Sequence, residues 1–231
     1  MFFSPVYLLC VLLPTLALSG LAQSAVRGAY KTWSQRANSS QFTGADVARQ
    51  LIRSYGFQVN LEGTPQELGD HFDPRSGIVR LSPGVAQKPS VASMAIAAHE
   101  FGHVQQYQQN SPLIAARGFI LPVAQYGGGL SVFIILAGWF LSFQGLAWLG
   151  VLLFGATTLF TVLTLPIEID ASRRGMKMME EQGMLRTGED RSGAQAVLRA
   201  AAMTYVAAMF ASILNLLYYA MLVSGMGGRR R

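Results

Sequence analysis

Three long stretches without a charged residue constrain the fold of this 231-residue chain more than any other feature. They run from Met1 to Val26, from Gly118 to Ile167 and from Ala200 to Gly228. Because a transmembrane helix needs roughly 20 apolar residues, the outer stretches each suffice for one crossing and the middle one for two. Only 13% of all residues are charged, against roughly 25% in soluble domains. The sequence therefore predicts a mainly α integral membrane protein with four transmembrane helices.

The polar sequence between these stretches completes the predicted organisation. Because no Lys or Arg precedes the first apolar stretch, which is also longer than a typical signal core, we favour a retained first span over a cleaved signal peptide. The predicted segments are the first span (1–25), a soluble α+β region (26–117) with a helix at about 90–110, a transmembrane hairpin (118–167), a cytoplasmic helical segment (168–199), the fourth span (200–224) and a basic tail (225–231).

The net charge of +6 does not indicate a nucleic-acid partner, since the basic residues form no stripe interleaved with aromatic residues. Lys and Arg are concentrated in 27–117 and 168–199 instead. Four crossings place both segments on the same side of the bilayer, and the positive-inside rule makes that side cytoplasmic. The tail Arg229–Arg231 falls on the opposite side, against the rule. The single cysteine, Cys10, excludes an intramolecular disulfide.

Two of the three histidines lie in the pattern His-Glu-x-x-His, at His99 and His103. On a helix, residues at i and i+4 share a face, so two imidazoles so placed can bind one Zn²⁺. Glu100 borders that face and is placed to accept a proton from a metal-activated water. The alternative is an accidental match between two surface histidines. The arrangement is typical of zinc-dependent peptidases, and we favour that interpretation.

Local signals place this pattern on a helix that follows a small sheet. Ser90 is a candidate N-cap, and Pro112 a candidate stop. The alternation of apolar and polar residues at 57–62 predicts a strand, and two short strands are expected around Asp73–Gly77. Such a sheet edge can pair with an extended peptide. The region at 26–117 is therefore expected to form a small α+β, zincin-like catalytic region.

A catalytic zinc needs a third protein ligand and an open position for water. Glu168 is a candidate because an acidic residue at the end of the third span costs free energy unless it has a partner. Zinc would be such a partner, and an ion pair with Arg173 or Arg174 is the alternative. Asp170 is a second candidate ligand, or it orients a ligand histidine. His71 is interpreted as a surface histidine in preference to an oxyanion-stabilising group, and is left out of the ligand set.

Four segments, 70–75, 97–103, 165–174 and 200–208, together resemble the YugP-like family of bacterial membrane zinc metallopeptidases. The resemblance covers nearly the whole chain. It implies a neutral zinc peptidase that crosses the bacterial inner membrane several times.

The same resemblance implies one zinc ion per chain, bound by His99, His103 and Glu168, with Glu100 as the catalytic residue. Two histidines and a downstream glutamate also resemble the gluzincin class, in which an aspartate often follows the ligand glutamate by four positions. Here that position is Ser172, so the role is not transferred, and Asp170 is the substitute candidate.

We therefore expect a membrane-anchored zinc endopeptidase that hydrolyses protein or peptide substrates with a zinc-activated water and Glu100 as general base. The alternative is a non-catalytic membrane scaffold or chaperone stapled by zinc. Because such a scaffold needs the ligands but no base, the presence of Glu100 favours the enzyme. A protease with its zinc inside the bilayer is disfavoured, since polar residues surround the motif over 99–110.

Overall fold

The computed structural model describes residues 4–226, so Arg229–Arg231 of the predicted basic tail (225–231) lie outside the described residues. Helices dominate, and one small sheet precedes the helix that carries the two histidines. In chain order the elements are α1 (Pro5–Trp33), α2 (Gly44–Tyr55), β1 (Asn60–Gly63), β2 (His71–Asp73), β3 (Ile78–Leu81), α3 (Pro83–Ala86), α4 (Val91–Gln108), α5 (Pro112–Phe140), α6 (Gln144–Glu181) and α7 (Gly188–Ser224).

Within the described residues, four helices are long and apolar enough to cross a membrane, and these are α1, α5, α6 and α7. Large apolar side chains on them are exposed, including Phe119, Phe133 and Leu152. In water this exposure would be costly, whereas in a bilayer it places apolar surface against lipid. The prediction of a mainly helical fold with four candidate membrane-spanning helices and a small sheet is therefore confirmed.

The chain divides into two compact units. Within the described residues, the span unit comprises 4–21, 115–166 and 204–226, and the site unit comprises Ala22–Ile114 and Ile167–Met203. In the span unit, α5 and α6 approach closely at glycines. A Cβ on Gly138 would lie 2.4 Å from the backbone nitrogen of Ala147. Small residues allow such an approach between helices that have no hydrophobic driving force within lipid.

The site unit is organised around α2 and α4. Thr43 and Asp46 form a capping box at the start of α2, and Gly56 ends it with a φ of 66°. A glycine suits this left-handed position because it has no Cβ. Val47 and Leu51 are fully buried in the core of the unit. Both ends of this helix therefore follow from local sequence signals.

The three-stranded sheet has the order β1-β3-β2, with β1 parallel and β2 antiparallel to β3. The two strands expected around Asp73–Gly77 are confirmed as β2 and β3. The strand predicted at 57–62 is wrong at its start, because β1 begins at Asn60. Phe57 packs instead against Phe101 in the core, so its burial reflects tertiary packing before pairing begins.

Helix α4 is capped by Ser90, whose Oγ accepts a hydrogen bond from the Ser93 N–H. Most of its residues are buried, and Gly102 contacts α6 so closely that a Cβ there would lie 2.1 Å from the Ala171 carbonyl oxygen. The reciprocal contact is at Gly175, where a Cβ would lie 2.7 Å from the Ala98 carbonyl oxygen. Two glycines thus bring the backbones of α4 and α6 together beside the histidines.

Candidate metal centre

The two motif histidines face Glu168 across the contact between α4 and α6. The Oε2 atom of Glu168 lies 3.3 Å from His99 Nε2 and 3.4 Å from His103 Nε2. The ligand atoms of these three residues all lie within 4.8 Å of one another. Three side chains predicted from sequence are therefore brought together, and Glu168 is paired with these histidines and not with Arg173 or Arg174.

The donor set fits a metal ion. Two imidazole nitrogens and one carboxylate oxygen are the ligands that a catalytic zinc takes, with a fourth position left for water. Among the described residues, Glu168 Oε2 is a buried oxygen without a hydrogen-bond partner. Its contacts to the histidines exceed the usual 2.7–3.2 Å of an N–H···O hydrogen bond. Because an unsatisfied buried carboxylate is costly, a cation between these three groups would stabilise them.

The pKa of His103 reports the local field. Burial by itself would lower this pKa, but the Glu168 carboxylate beside the ring and the negative charge of Glu100 outweigh burial and raise it. Two carboxylates near the ring therefore favour a positive charge at this position. A divalent cation bound by the ring nitrogens would be stabilised by the same two negative charges.

Ser172 orients His99. Its Oγ lies 3.1 Å from His99 Nδ1, the ring nitrogen that points away from Glu168. In the tautomer that leaves Nε2 free for a metal, Nδ1–H donates to this hydroxyl. The orienting role that the sequence analysis did not transfer to position 172 can therefore be taken by a serine, since its hydroxyl accepts the bond that an aspartate would accept.

Gln106 orients His103 in a similar way. Its Oε1 lies 3.0 Å from His103 Nδ1, and its Nε2 donates to the Ile167 carbonyl oxygen at 2.9 Å and to Asp170 Oδ2 at 2.7 Å. Gln106 is 1% exposed, so these bonds hold it rigidly. Asp170 therefore acts on His103 through Gln106 and is not among the converging ligands. Sequence analysis missed Gln106, although its position three residues after His103 places it on the same helix face.

Glu100 lies beside the three candidate ligands and is 7% exposed. Its Oε2 accepts a hydrogen bond of 2.9 Å from the backbone N–H of Phe72 in strand β2. Asp70, which precedes Phe72 by two residues, accepts hydrogen bonds from the backbone N–H and the hydroxyl of Ser82. Burial raises the pKa of the Asp70 carboxyl group. Strand β2 thus holds one oxygen of Glu100 in place.

His71 lies on β2 outside the converging group, as expected. It is exposed, its Nδ1 lies 2.8 Å from the Gly69 carbonyl oxygen, and its Nε2 lies 3.4 Å from the Arg80 guanidinium. Both ring nitrogens therefore have partners on the sheet.

Comparison with known proteins agrees with this chemistry. The family described as "Putative neutral zinc metallopeptidase" matches residues 8–224. The curated protein "Putative membrane protease YugP" of Bacillus subtilis (strain 168) is 36% identical over 208 residues, which cover 90% of this chain and 92% of that protein. No solved structure matches the chain significantly.

Proposed function

The chain belongs to the family described as "Putative neutral zinc metallopeptidase", and from this we propose that it is a membrane-anchored zinc-dependent endopeptidase. The observation that carries the proposal is the placement of Glu100. A purely structural zinc site usually has four protein ligands, whereas only three described side chains converge here and Glu100 is held beside them by strand β2. Here that carboxylate is buried and fixed by a backbone N–H.

In the proposed reaction, His99, His103 and Glu168 hold one zinc ion, and Ser172 and Gln106 keep the two rings aligned. Bound zinc supplies Lewis acidity, which lowers the pKa of water and polarises a substrate carbonyl. Glu100 accepts the proton of the attacking water and passes it to the leaving amine, so it acts first as base and then as acid. Because the Phe72 N–H holds Oε2, the other oxygen of Glu100 is the one that moves the proton.

The position of β2 supports a peptide substrate. This strand is at the edge of the sheet, and its Phe72 N–H points to Glu100. An extended peptide that adds to such an edge would lie alongside the carboxylate that moves the proton. The proposed substrates are therefore proteins or peptides that reach this edge in an extended conformation.

The proposed location is the bacterial inner membrane, with the site unit in the cytoplasm. The concentration of Lys and Arg in 27–117 and 168–199 supports this orientation through the positive-inside rule.

The test is a paired measurement of zinc content and casein cleavage on detergent-purified protein. We expect Glu100→Gln to keep about one zinc per chain and lose nearly all cleavage, and Glu168→Ala to lose zinc as well. Glu62→Gln on the exposed strand β1 is the matched control and is expected to retain both. A Glu100→Gln protein with full activity would refute the mechanism. Wild type that binds zinc and cleaves nothing would favour the scaffold alternative.

A further inference from the structure

A groove of about 440 Å³ lies between the C-terminal part of α6 and the N-terminal part of α7, within the site unit. Its lining on α6 includes Ile169, Arg173 and Met176, and its lining on α7 includes Leu198 and Arg199. On each helix the lining positions recur at intervals of three and four residues, so each helix contributes one continuous face. The volume lies within the roughly 300–1,000 Å³ that is usual for small-molecule sites.

The charges in this groove are mostly positive and partly unpaired. Among the residues that the structure describes, neither Arg173 nor Arg199 forms a salt bridge, and both are exposed. Lys177 lines the same groove and pairs only with an exposed glutamate outside it. The acidic lining residue, Glu180, is bound by Arg191, which lies outside the groove. The groove therefore presents two guanidinium groups without a salt bridge, of which Arg173 is also attracted to the nearby Asp170 carboxylate.

The apolar part of the lining follows the direction of the membrane-spanning sequence. Ile169 lies two residues after the end of the charge-free stretch that begins at Gly118, and Ala202 lies within the next charge-free stretch. Arg173 and Arg199 line the groove farther from these apolar ends, and Lys177 lies farther still. An apolar end beside the membrane sequence and a cationic end beyond it match the two parts of a phospholipid.

We propose that this groove binds the phosphate headgroup of an anionic phospholipid, with Arg173 and Arg199 as the main contacts. Guanidinium groups bind phosphate with parallel hydrogen bonds, and basic pockets between transmembrane helices bind anionic headgroups. None of the three candidate zinc ligands lines the groove, and Ser172, whose Oγ lies 3.1 Å from His99 Nδ1, is the lining residue whose side chain touches them. The inference does not rest on the proposed peptidase activity.

The experiment measures lipid binding to the full chain. Detergent-purified protein is mixed with equimolar phosphatidylglycerol and phosphatidylcholine of equal chain length, and bound lipid is counted by native mass spectrometry. Because each cation near an anionic surface contributes roughly a fivefold preference, the two arginines are expected to give the wild type a preference of about 25-fold for phosphatidylglycerol. Arg173→Gln/Arg199→Gln is expected to reduce that preference to near one.

The matched control is Arg53→Gln/Lys88→Gln, which removes the same charge from exposed positions outside the groove. This control is expected to keep the wild-type preference for phosphatidylglycerol. Each single variant, Arg173→Gln or Arg199→Gln, is expected to lose about half of the logarithm of that preference. Zinc content and melting temperature report whether every variant is folded.

Three outcomes would overturn the inference. One is an equal preference in the wild type and the Arg173→Gln/Arg199→Gln protein. Another is an equal loss in the charge-matched control, which would indicate non-specific attraction. The third is displacement of the lipid by millimolar glycerol 3-phosphate or inorganic phosphate, which would identify the groove as a site for a soluble anion.

Discussion

Replacing Gly102 with alanine tests whether the contact between α4 and α6 builds the metal centre. The added Cβ would lie 2.1 Å from the carbonyl oxygen of Ala171 and 2.9 Å from its Cα. Since ordinary C···O contacts are about 3.3 Å or longer, the two helices would have to separate by about 1 Å. Both neighbouring atoms belong to the backbone, so rotation of a side chain cannot relieve the clash.

The separation would act directly on the candidate ligands. Glu168 Oε2 lies 3.3 Å and 3.4 Å from the two histidine nitrogens, and metal–ligand distances tolerate changes of only about 0.2 Å. We therefore expect Gly102→Ala to weaken zinc binding at least about 10-fold, the range seen when ligand orientation is disturbed. Overpacking costs about 1–3 kcal/mol, and so severe a contact belongs at the upper end of that range.

The sign of the change in unfolding free energy distinguishes a clash at Gly102 from the ordinary effect of alanine in a helix. In a helix, alanine is favoured over glycine by about 1 kcal/mol, so without a clash the substitution would stabilise the protein. We expect instead a net loss of about 2 kcal/mol, which lowers the melting temperature by roughly 4–8 °C. At Gly28 in α1, nothing beyond the helix's own nearby backbone lies within 4 Å of the position that a Cβ would occupy, so Gly28→Ala is the control and should raise the melting temperature slightly.

Zinc content by elemental analysis and thermal unfolding by circular dichroism, both in detergent, give the two readings. If Gly102→Ala keeps wild-type zinc affinity and melts higher, as the Gly28→Ala control should, the close approach of α4 and α6 does not build the site.

Two further predictions concern the support of the site and the start of α2. Ser172→Ala should weaken zinc binding by about 10–100-fold without unfolding the protein, because His99 Nδ1 loses its partner; unchanged affinity in a competition titration with a chelator would contradict this role. Thr43→Ala should cost about 1 kcal/mol of unfolding free energy, because the Thr43 hydroxyl accepts the capping hydrogen bond from the Asp46 N–H at the start of α2. The same hydroxyl donates to Asp46 Oδ2, and this bond holds the pKa of the Asp46 carboxyl group below the ordinary 3.8. A carboxyl pKa that is lower in the folded than in the unfolded state stabilises the fold at pH values above the unfolded pKa, so the contribution of Asp46 should fade as the pH falls below about 4. In urea titrations, the unfolding free energies of wild type and Asp46→Asn should converge in that acidic range.

Local patterns in the sequence were enough for the helices and for part of the site. The charge-free stretches predicted four spanning helices, because the length and hydropathy of a segment are properties of that segment alone. Helix ends at Ser90, Thr43 and Gly56 also follow from residues within the segment itself. The one-turn spacing of His99 and His103 is likewise local, and it places the two rings on a common helix face.

The start of β1 shows where such patterns become insufficient. Phe57 continues the alternation of apolar and polar residues, yet it packs against Phe101 before strand pairing begins at Asn60. Alternation reports which side chains are buried, and burial in a helical core gives the same signal as burial on a sheet.

Only the tertiary structure decided what surrounds the two histidines. Chemistry alone left Glu168 with either zinc or an arginine as its partner, and left the roles of Asp170 and Ser172 open. These choices depend on the register between α4 and α6, which the reciprocal contacts of Gly102 and Gly175 determine. Register is a relation between distant segments, so no pattern within either segment contains it, and a one-residue shift would turn Glu168 away from the histidines.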